Sequence, residues 1–282
     1  MLELAYVDGV TTSLKDSKVP VTDSGFNLGY GVFETMRSYH GGLFRFDAHL
    51  NRLKSGAAFL GIQLEASEIE PAVFGTLEKS QINEARVRLS VTVPRKDRSY
   101  SIVVTVERYQ PPSEEDYNQG LSASIFSTRR KSDSPMYRYK TLNQLENSMA
   151  KKEAEKRGGV EAIFINEDDY VVETNRGNIF AVVGGLLKTP SLDNAILPGI
   201  TRGVVLELAS RLGIPFVEAD TTLEEFRSAK EAFLTSSLVE IMPFSRIEGK
   251  EIGDGKIGNI TNYLRTAYKE LVLKETGLKQ ND

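Results

Sequence analysis

The sequence contains no cysteine and only two histidines, His40 and His49. Without cysteine there can be no disulfide, no thiolate metal site and no thiol nucleophile. Two histidines argue against a multi-histidine metal centre, and no metal is expected. No stretch approaches the roughly 18 consecutive apolar residues of a membrane span. The start, Met1-Leu2-Glu3-Leu4-Ala5, has neither a basic n-region nor a long apolar core. Cytoplasm is therefore the default location, and no membrane partner is expected. A net charge of −4 leaves no broadly basic surface, so nucleic acid is not an expected partner either.

What is present is ordinary globular material: 40% hydrophobic and 26% charged over 282 residues, enough chain for two compact cores. There is no internal repeat and no low-complexity segment. The clearest composition break is Pro111-Pro112-Ser113-Glu114-Glu115-Asp116. It divides an N-terminal domain over 1–112 from a larger domain over 121–282, with 113–120 as linker.

Hydrophobic periodicity places strands at 4–7, 19–26, 29–39, 86–93 and 101–106, with Gly41-Gly42 suited to a tight hairpin. Leu50, Leu53, Ala57 and Leu60 recur at helical spacing and leave Arg52 off the apolar stripe. In the second half, a helix is expected after Lys140 with Leu142, Leu145 and Met149 on one face, closed by Gly158-Gly159. Strands follow near 162–165, 170–173, 179–183, 186–189 and 231–236. A helix runs from Thr201 to Leu212, and a last amphipathic helix from Asn259. Hairpins mixed with helices indicate two α/β or α+β domains.

Three polar stretches stand out against this background. Lys140, in Tyr139-Lys140-Thr141-Leu142-Asn143, sits between a basic irregular segment and the following helix. Glu173 lies near the end of an apolar strand, where an inward carboxylate needs a partner. Pro198-Gly199-Ile200-Thr201-Arg202 is a glycine-led helix start, whose free Ile200 and Thr201 amides and Thr201 hydroxyl suit a dianion. A lysine that forms an imine, a carboxylate that keeps a pyridine nitrogen protonated and a helix start that takes a phosphate are the parts that hold pyridoxal 5'-phosphate. Thr235-Ser236-Ser237 ends a strand and adds hydroxyl and amide donors. Arg52 can pair with a phosphate. Arg37, Arg98 and Tyr100 can grip a substrate carboxylate, since arginine matches it with two parallel bonds. Taken singly, each of these has a plainer reading as surface charge or turn. His49 is read as structural.

Taken together, the stretches resemble the class IV aminotransferases, the fold-type IV pyridoxal-phosphate enzymes. The resemblance runs from Asp23-Ser24-Gly25-Phe26-Asn27-Leu28-Gly29-Tyr30-Gly31-Val32-Phe33-Glu34 through His49-Leu50-Asn51-Arg52-Leu53, the Lys140 stretch and Glu173-Thr174-Asn175-Arg176-Gly177-Asn178. It continues through Leu197-Pro198-Gly199-Ile200-Thr201-Arg202 to Thr235-Ser236-Ser237. It implies a two-domain fold with the active site at the domain interface and a homodimer as working unit. It implies Lys140 as the catalytic, imine-forming residue and Glu173 at the pyridine nitrogen. Arg52, Ile200, Thr201 and Ser237 would hold the phosphate and Leu197 would pack on the ring, with Asn178 and Ser236 also among the cofactor-binding residues. Phe33, Arg37, Arg98 and Tyr100 would line the substrate. The implied reaction moves an amino group from an amino acid or amine to a 2-oxo acid. Glu34 resembles the transaminases, whereas Asp97-Arg98-Ser99-Tyr100-Ser101 resembles a stretch of the 4-amino-4-deoxychorismate lyases. Such a lyase, releasing pyruvate and 4-aminobenzoate, is the alternative. A non-catalytic binding protein on the same fold is the third reading.

Overall fold

The computed structural model describes residues 1–93 and 99–277. Two compact units emerge. Unit 1 comprises 1–110 with 139–143 and the end of the chain from Leu271, and unit 2 comprises 111–138 with 144–270.

Unit 1 is an antiparallel sheet with one face covered by two long helices, and with a further short helix. Its strands are β1 (Leu4–Val7), β2 (Val10–Ser13), β3 (Gly31–Tyr39), β4 (Gly42–Leu43), β5 (Ala85–Thr92) and β6 (Ser101–Arg108), in the order β2-β1-β6-β5-β3-β4. The helices are α1 (Ser24–Leu28), α2 (Phe46–Phe59) and α3 (Ala66–Ser80). Side chains alternate across a strand. Val32 and Met36 of β3 and Val87, Leu89 and Val91 of β5 therefore join Leu53 of α2 in one core. The alternate residues, Phe33, Thr35 and Arg37 with Arg86 and Arg88, occupy the opposite face, and Thr35 stands directly across from Arg88. The β3–β4 hairpin turns at His40 and Gly41, both with positive φ, which is the twist a two-residue hairpin needs.

The strand expected over 19–26 is replaced by the short helix α1. The Asp23 carboxylate accepts from the amides of Gly25 and Phe26, and Gly29, at φ 64°, ends the turn. Capping by aspartate outweighs the β propensity of the neighbouring valines.

Unit 2 holds β7 (Leu121–Ile125), β8 (Glu161–Ile165), β9 (Val171–Thr174), β10 (Asn178–Val183), β11 (Leu186–Thr189), β12 (Phe216–Glu218), β13 (Glu231–Ser236), β14 (Glu240–Ile247) and β15 (Lys250–Glu251). The order is β12-β11-β10-β13-β14-β7-β8-β9, and β9 also pairs with β10. Strands β10, β13, β14, β7, β8 and β9 thus close into a ring, parallel at β14–β7 and β7–β8. Helices α4 (Glu114–Gln119), α5 (Leu145–Lys156), α6 (Ile200–Arg211) and α7 (Leu223–Arg227) belong to it, and α8 (Asn259–Glu275) ends the described chain.

Two expectations are corrected here. The 113–120 stretch is not a bare linker but helix α4 of unit 2, started by a reciprocal capping box between Ser113 and Asp116. The helix after Lys140 begins only at Leu145, and its buried face is Ala150 and Ala154, with Leu145 and Met149 exposed. Small residues let α5 lie close against its sheet, so the larger apolar side chains face outward.

Candidate active site

Lys140 is carried by a chain segment that joins the unit 1 sheet. Thr141 bridges Val32 of β3. The Phe33 amide donates to the Lys140 carbonyl at 2.8 Å, and the Leu142 amide to the Gly31 carbonyl at 2.9 Å. The Tyr139 ring stacks on Phe59 of α2 at 4.3 Å between centroids. Glycine is required beneath this segment, because a Cβ on Gly31 would meet the Val91 carbonyl and the Leu142 side chain. The backbone of the lysine is thus fixed on both sides, and its Nζ lies 4.8 Å from the centroid of the Phe33 ring.

A second cation shares that ring. The Arg88 guanidinium lies 3.7 Å from the Phe33 centroid. Burial, then the neighbouring Arg86, holds Arg88 at a pKa of about 10, against a weaker opposing pull from Glu107. Arg88 makes no hydrogen bond or close ion pair among the described residues. The sequence reading missed it, although Arg86-Val87-Arg88 in an alternating strand puts both arginines on one face.

Behind the same strand lies a buried ionic group. Glu34, on the helix side of β3, receives Arg52 Nε at 2.8 Å and Nη2 at 2.7 Å, and His49 Nδ1 lies 2.7 Å from its Oε2. Burial alone raises the Glu34 carboxyl, but Arg52 and these hydrogen bonds outweigh it and hold the pKa at about 2. Burial lowers His49, so the imidazole is neutral and donates from Nδ1 to the carboxylate.

In unit 2, Glu173 is buried near the end of β9. Its Oε1 accepts from Arg130 Nη1 at 2.5 Å, and its Oε2 from the Leu197 amide at 3.3 Å. Asn178, paired with Glu173 across β9–β10 and with Thr235 across β10–β13, donates from Nδ2 to the Leu197 carbonyl at 2.8 Å. Leu197 is therefore tied at both ends of its peptide unit. Gly199 is the N-cap of α6, and the first-turn amides of Ile200 and Thr201 have no intrahelical acceptors. The Thr201 hydroxyl makes no hydrogen bond among the described residues. Ser236 closes β13 and Ser237 opens the turn after it. Arg130 is a further partner that the sequence reading missed. It sits in an irregular loop with no periodicity to mark it.

The substrate candidates divide. Phe33 lies beside Lys140. Arg37 is engaged elsewhere on its strand, with Glu84 at 3.3 Å and the Tyr39 ring at 4.2 Å. Tyr100 is corrected: its ring packs in the unit 1 core, and its hydroxyl donates to Glu68 at 2.8 Å. An aromatic ring beside Ile102 gains more from burial than from exposure on a loop. Arg98 lies outside the described residues.

In unit 1 the mounted Lys140 amine suits an aldehyde, and in unit 2 the buried Glu173 carboxylate and the open amides at the start of a 12-residue helix suit a heteroaromatic phosphate. These donor types fit pyridoxal phosphate. No group of three or more metal-ligating side chains occurs among the described residues.

Comparison with known proteins agrees. The family model for amino-transferase class IV matches residues 31–247. A putative branched-chain-amino-acid aminotransferase of Methanocaldococcus jannaschii is 36% identical, over 98% of this chain and 99% of its own. A D-alanine aminotransferase of Listeria monocytogenes is 31% identical over 93% and 94%. An aminodeoxychorismate lyase of Bacillus subtilis is 33% identical over 95% and 94%. A branched-chain aminotransferase solved with pyridoxamine 5'-phosphate superposes at a TM-score of 0.91, with 25% identity, covering 98% of this chain and 96% of the other. The chain belongs to the class IV aminotransferases, and its cofactor is pyridoxal phosphate.

Proposed function

We propose that this aminotransferase takes an amino group from a carboxylate-bearing amino acid and passes it to a 2-oxo acid, with Arg88 as the cation that receives the carboxylate. One observation carries the substrate reading: Arg88 and Lys140 lie against the same Phe33 ring, and Arg88 makes no close ion pair among the described residues. A desolvated guanidinium whose nearest anion acts only at a distance favours an anionic ligand.

Lys140 would hold the cofactor aldehyde, and Glu173 would partner the pyridine nitrogen. Arg52, the Ile200 and Thr201 amides, the Thr201 hydroxyl and Ser236–Ser237 would receive the phosphate, with Leu197 and Asn178 beside the ring. Bound pyridoxal phosphate supplies an electron sink when the amino acid loses its α-proton. The Lys140 amine would carry that proton as general base and then acid.

The working unit in this reading is a homodimer in the cytoplasm. Val21, Phe26 and Leu28, each more than 70% exposed, support an apolar contact between subunits. Among the described residues no helix is long and apolar enough to cross a membrane.

The test is a spectral scan of the loaded protein against D- and L-amino acids and amines, followed by 2-oxo acid acceptors. Loss of the visible cofactor band with amino acids, and its return with a 2-oxo acid, is the expected result. Pyruvate released from aminodeoxychorismate without any acceptor would instead identify the lyase that the Bacillus subtilis relative is named for. A band that answers to no donor would leave a binding protein.

A further inference from the structure

The two charged side chains assigned above to the cofactor already have charged partners, each within its own unit. In unit 1, Arg52 meets Glu34 in a two-bond fork, and Glu34 is wholly buried. In unit 2, Glu173 meets Arg130, which is 4% exposed. The Arg130 guanidinium lies against Phe164 at 3.4 Å and Tyr137 at 4.4 Å from the ring centroids. It also donates to Glu146 at 2.9 Å and to Asn147 at 2.8 Å. Neither Glu34 nor Arg130 has a step of its own in transamination. Both are nevertheless buried and charged, and each is hydrogen-bonded to a side chain assigned to the cofactor.

A buried charge with no partner is costly, and removing one member of a buried pair is strongly destabilising. Loss of Glu34 beside Arg52, or of Arg130 beside Glu173, would therefore weigh most when the cofactor is absent. We propose that Glu34 and Arg130 are internal counter-ions. Glu34 stands in for the cofactor phosphate at Arg52, and Arg130 stands in for the pyridinium at Glu173. The cofactor-free chain thereby folds with both groups charged and in place. The proposal rests on the reading of Arg52 and Glu173 as cofactor ligands. It explains why buried ionic pairs occur at these two places: each offers the incoming cofactor an oriented charge without a reorganisation step.

The experiment compares thermal midpoints of the full chain, stripped and reloaded, for the wild type, Glu34→Gln and Arg130→Gln. Each substitution is expected to lower the stripped midpoint by on the order of 10 °C, and the loaded midpoint by less than half as much. Rescue of the stripped variants should cross. Inorganic phosphate, or a carbocyclic analogue with C–H in place of the ring nitrogen, restores Glu34→Gln, whereas pyridoxal, which lacks the phosphate, does not. Pyridoxal restores Arg130→Gln, whereas inorganic phosphate and the carbocyclic analogue do not.

Equal losses in stripped and loaded forms, no loss, or rescue that does not cross would overturn the proposal. So would a Glu34→Gln chain that fails to fold even when expressed with pyridoxal phosphate. Glu34→Asp and Arg130→Lys keep the charge and should keep most of the midpoint, and a fall as deep as that of the glutamine variants would also overturn it. A wild-type chain that bound no pyridoxal phosphate would be a different failure, that of the functional reading itself.

Discussion

The Asn178 side chain sets the start of helix α6: its Nδ2 donates to the Leu197 carbonyl, and its Oδ1 occupies the space that a Cβ on Gly199 would need. Strand β10 is thereby coupled to the helix whose first amides are proposed to hold the phosphate. Gly199→Ala should push that turn away from Asn178. We expect at least about a tenfold loss of pyridoxal phosphate affinity and about 1–3 kcal/mol of stability, read by cofactor titration and urea unfolding. Adding Asn178→Ala should return part of the affinity, because it removes the obstructing oxygen.

Arg88 should separate function from stability. Its pKa of about 10, below the ordinary arginine range, means that the fold disfavours the charged form. That penalty is fully present below pH 10, where the side chain is charged in both folded and unfolded chains. Arg88→Met should therefore leave the ligand-free thermal midpoint unchanged or higher. It should raise KM for a carboxylate-bearing donor about 10- to 100-fold, the loss expected for one charge-assisted pair. A lower midpoint with KM unchanged would show that Arg88 is structural.

Acid should weaken unit 1 through Glu34 and His49. Both have folded pKa values below their ordinary ones, so the unfolded chain binds protons more readily. The stability from His49 is complete above about pH 6.5 and is lost below it, and that from Glu34 is complete above pH 4.5 and lost as pH falls toward 2. The Glu34 share, a shift from 4.5 to about 2, corresponds to roughly 3 kcal/mol at about 1.4 kcal/mol per pKa unit. Urea unfolding of the ligand-free chain from pH 6 to 3 should lose stability accordingly, with a shallower slope for Glu34→Gln. Equal slopes would remove Glu34 from the account.

The exposed apolar residues of the 19–30 stretch bear on assembly. Phe26→Asp places a charge where the proposed contact requires apolar surface. Sedimentation should give a dimer for the wild type and a monomer for the variant. A wild-type monomer would rule out the dimer.

The parts of this molecule that were legible in the sequence are those that local chemistry decides. The β3–β4 hairpin (turning at His40-Gly41, one residue before the expected Gly41-Gly42), the glycine-led start of α6 and the strands around Glu173 each depend on residues a few positions apart. The Lys140 motif could be recognised, but its attachment to β3 depends on bonds to Gly31 and Phe33, which no local pattern reveals. Long-range partnering was likewise hidden. Nothing near Arg130 in the chain signals that it will meet Glu173. Tyr100 follows a polar stretch of sequence yet packs in the core. Alternation did mark Arg88 as sharing a face with Arg86, but only the register with β3 sets it beside Phe33.

The account depends most on the amine of Lys140. Borohydride reduction of the loaded protein, followed by peptide mapping, tests it directly. The expected result is a single phosphopyridoxyl group on the peptide bearing Lys140, and none in Lys140→Ala. Label on any other lysine, or no stable label in protein saturated with pyridoxal phosphate, would contradict the assignment.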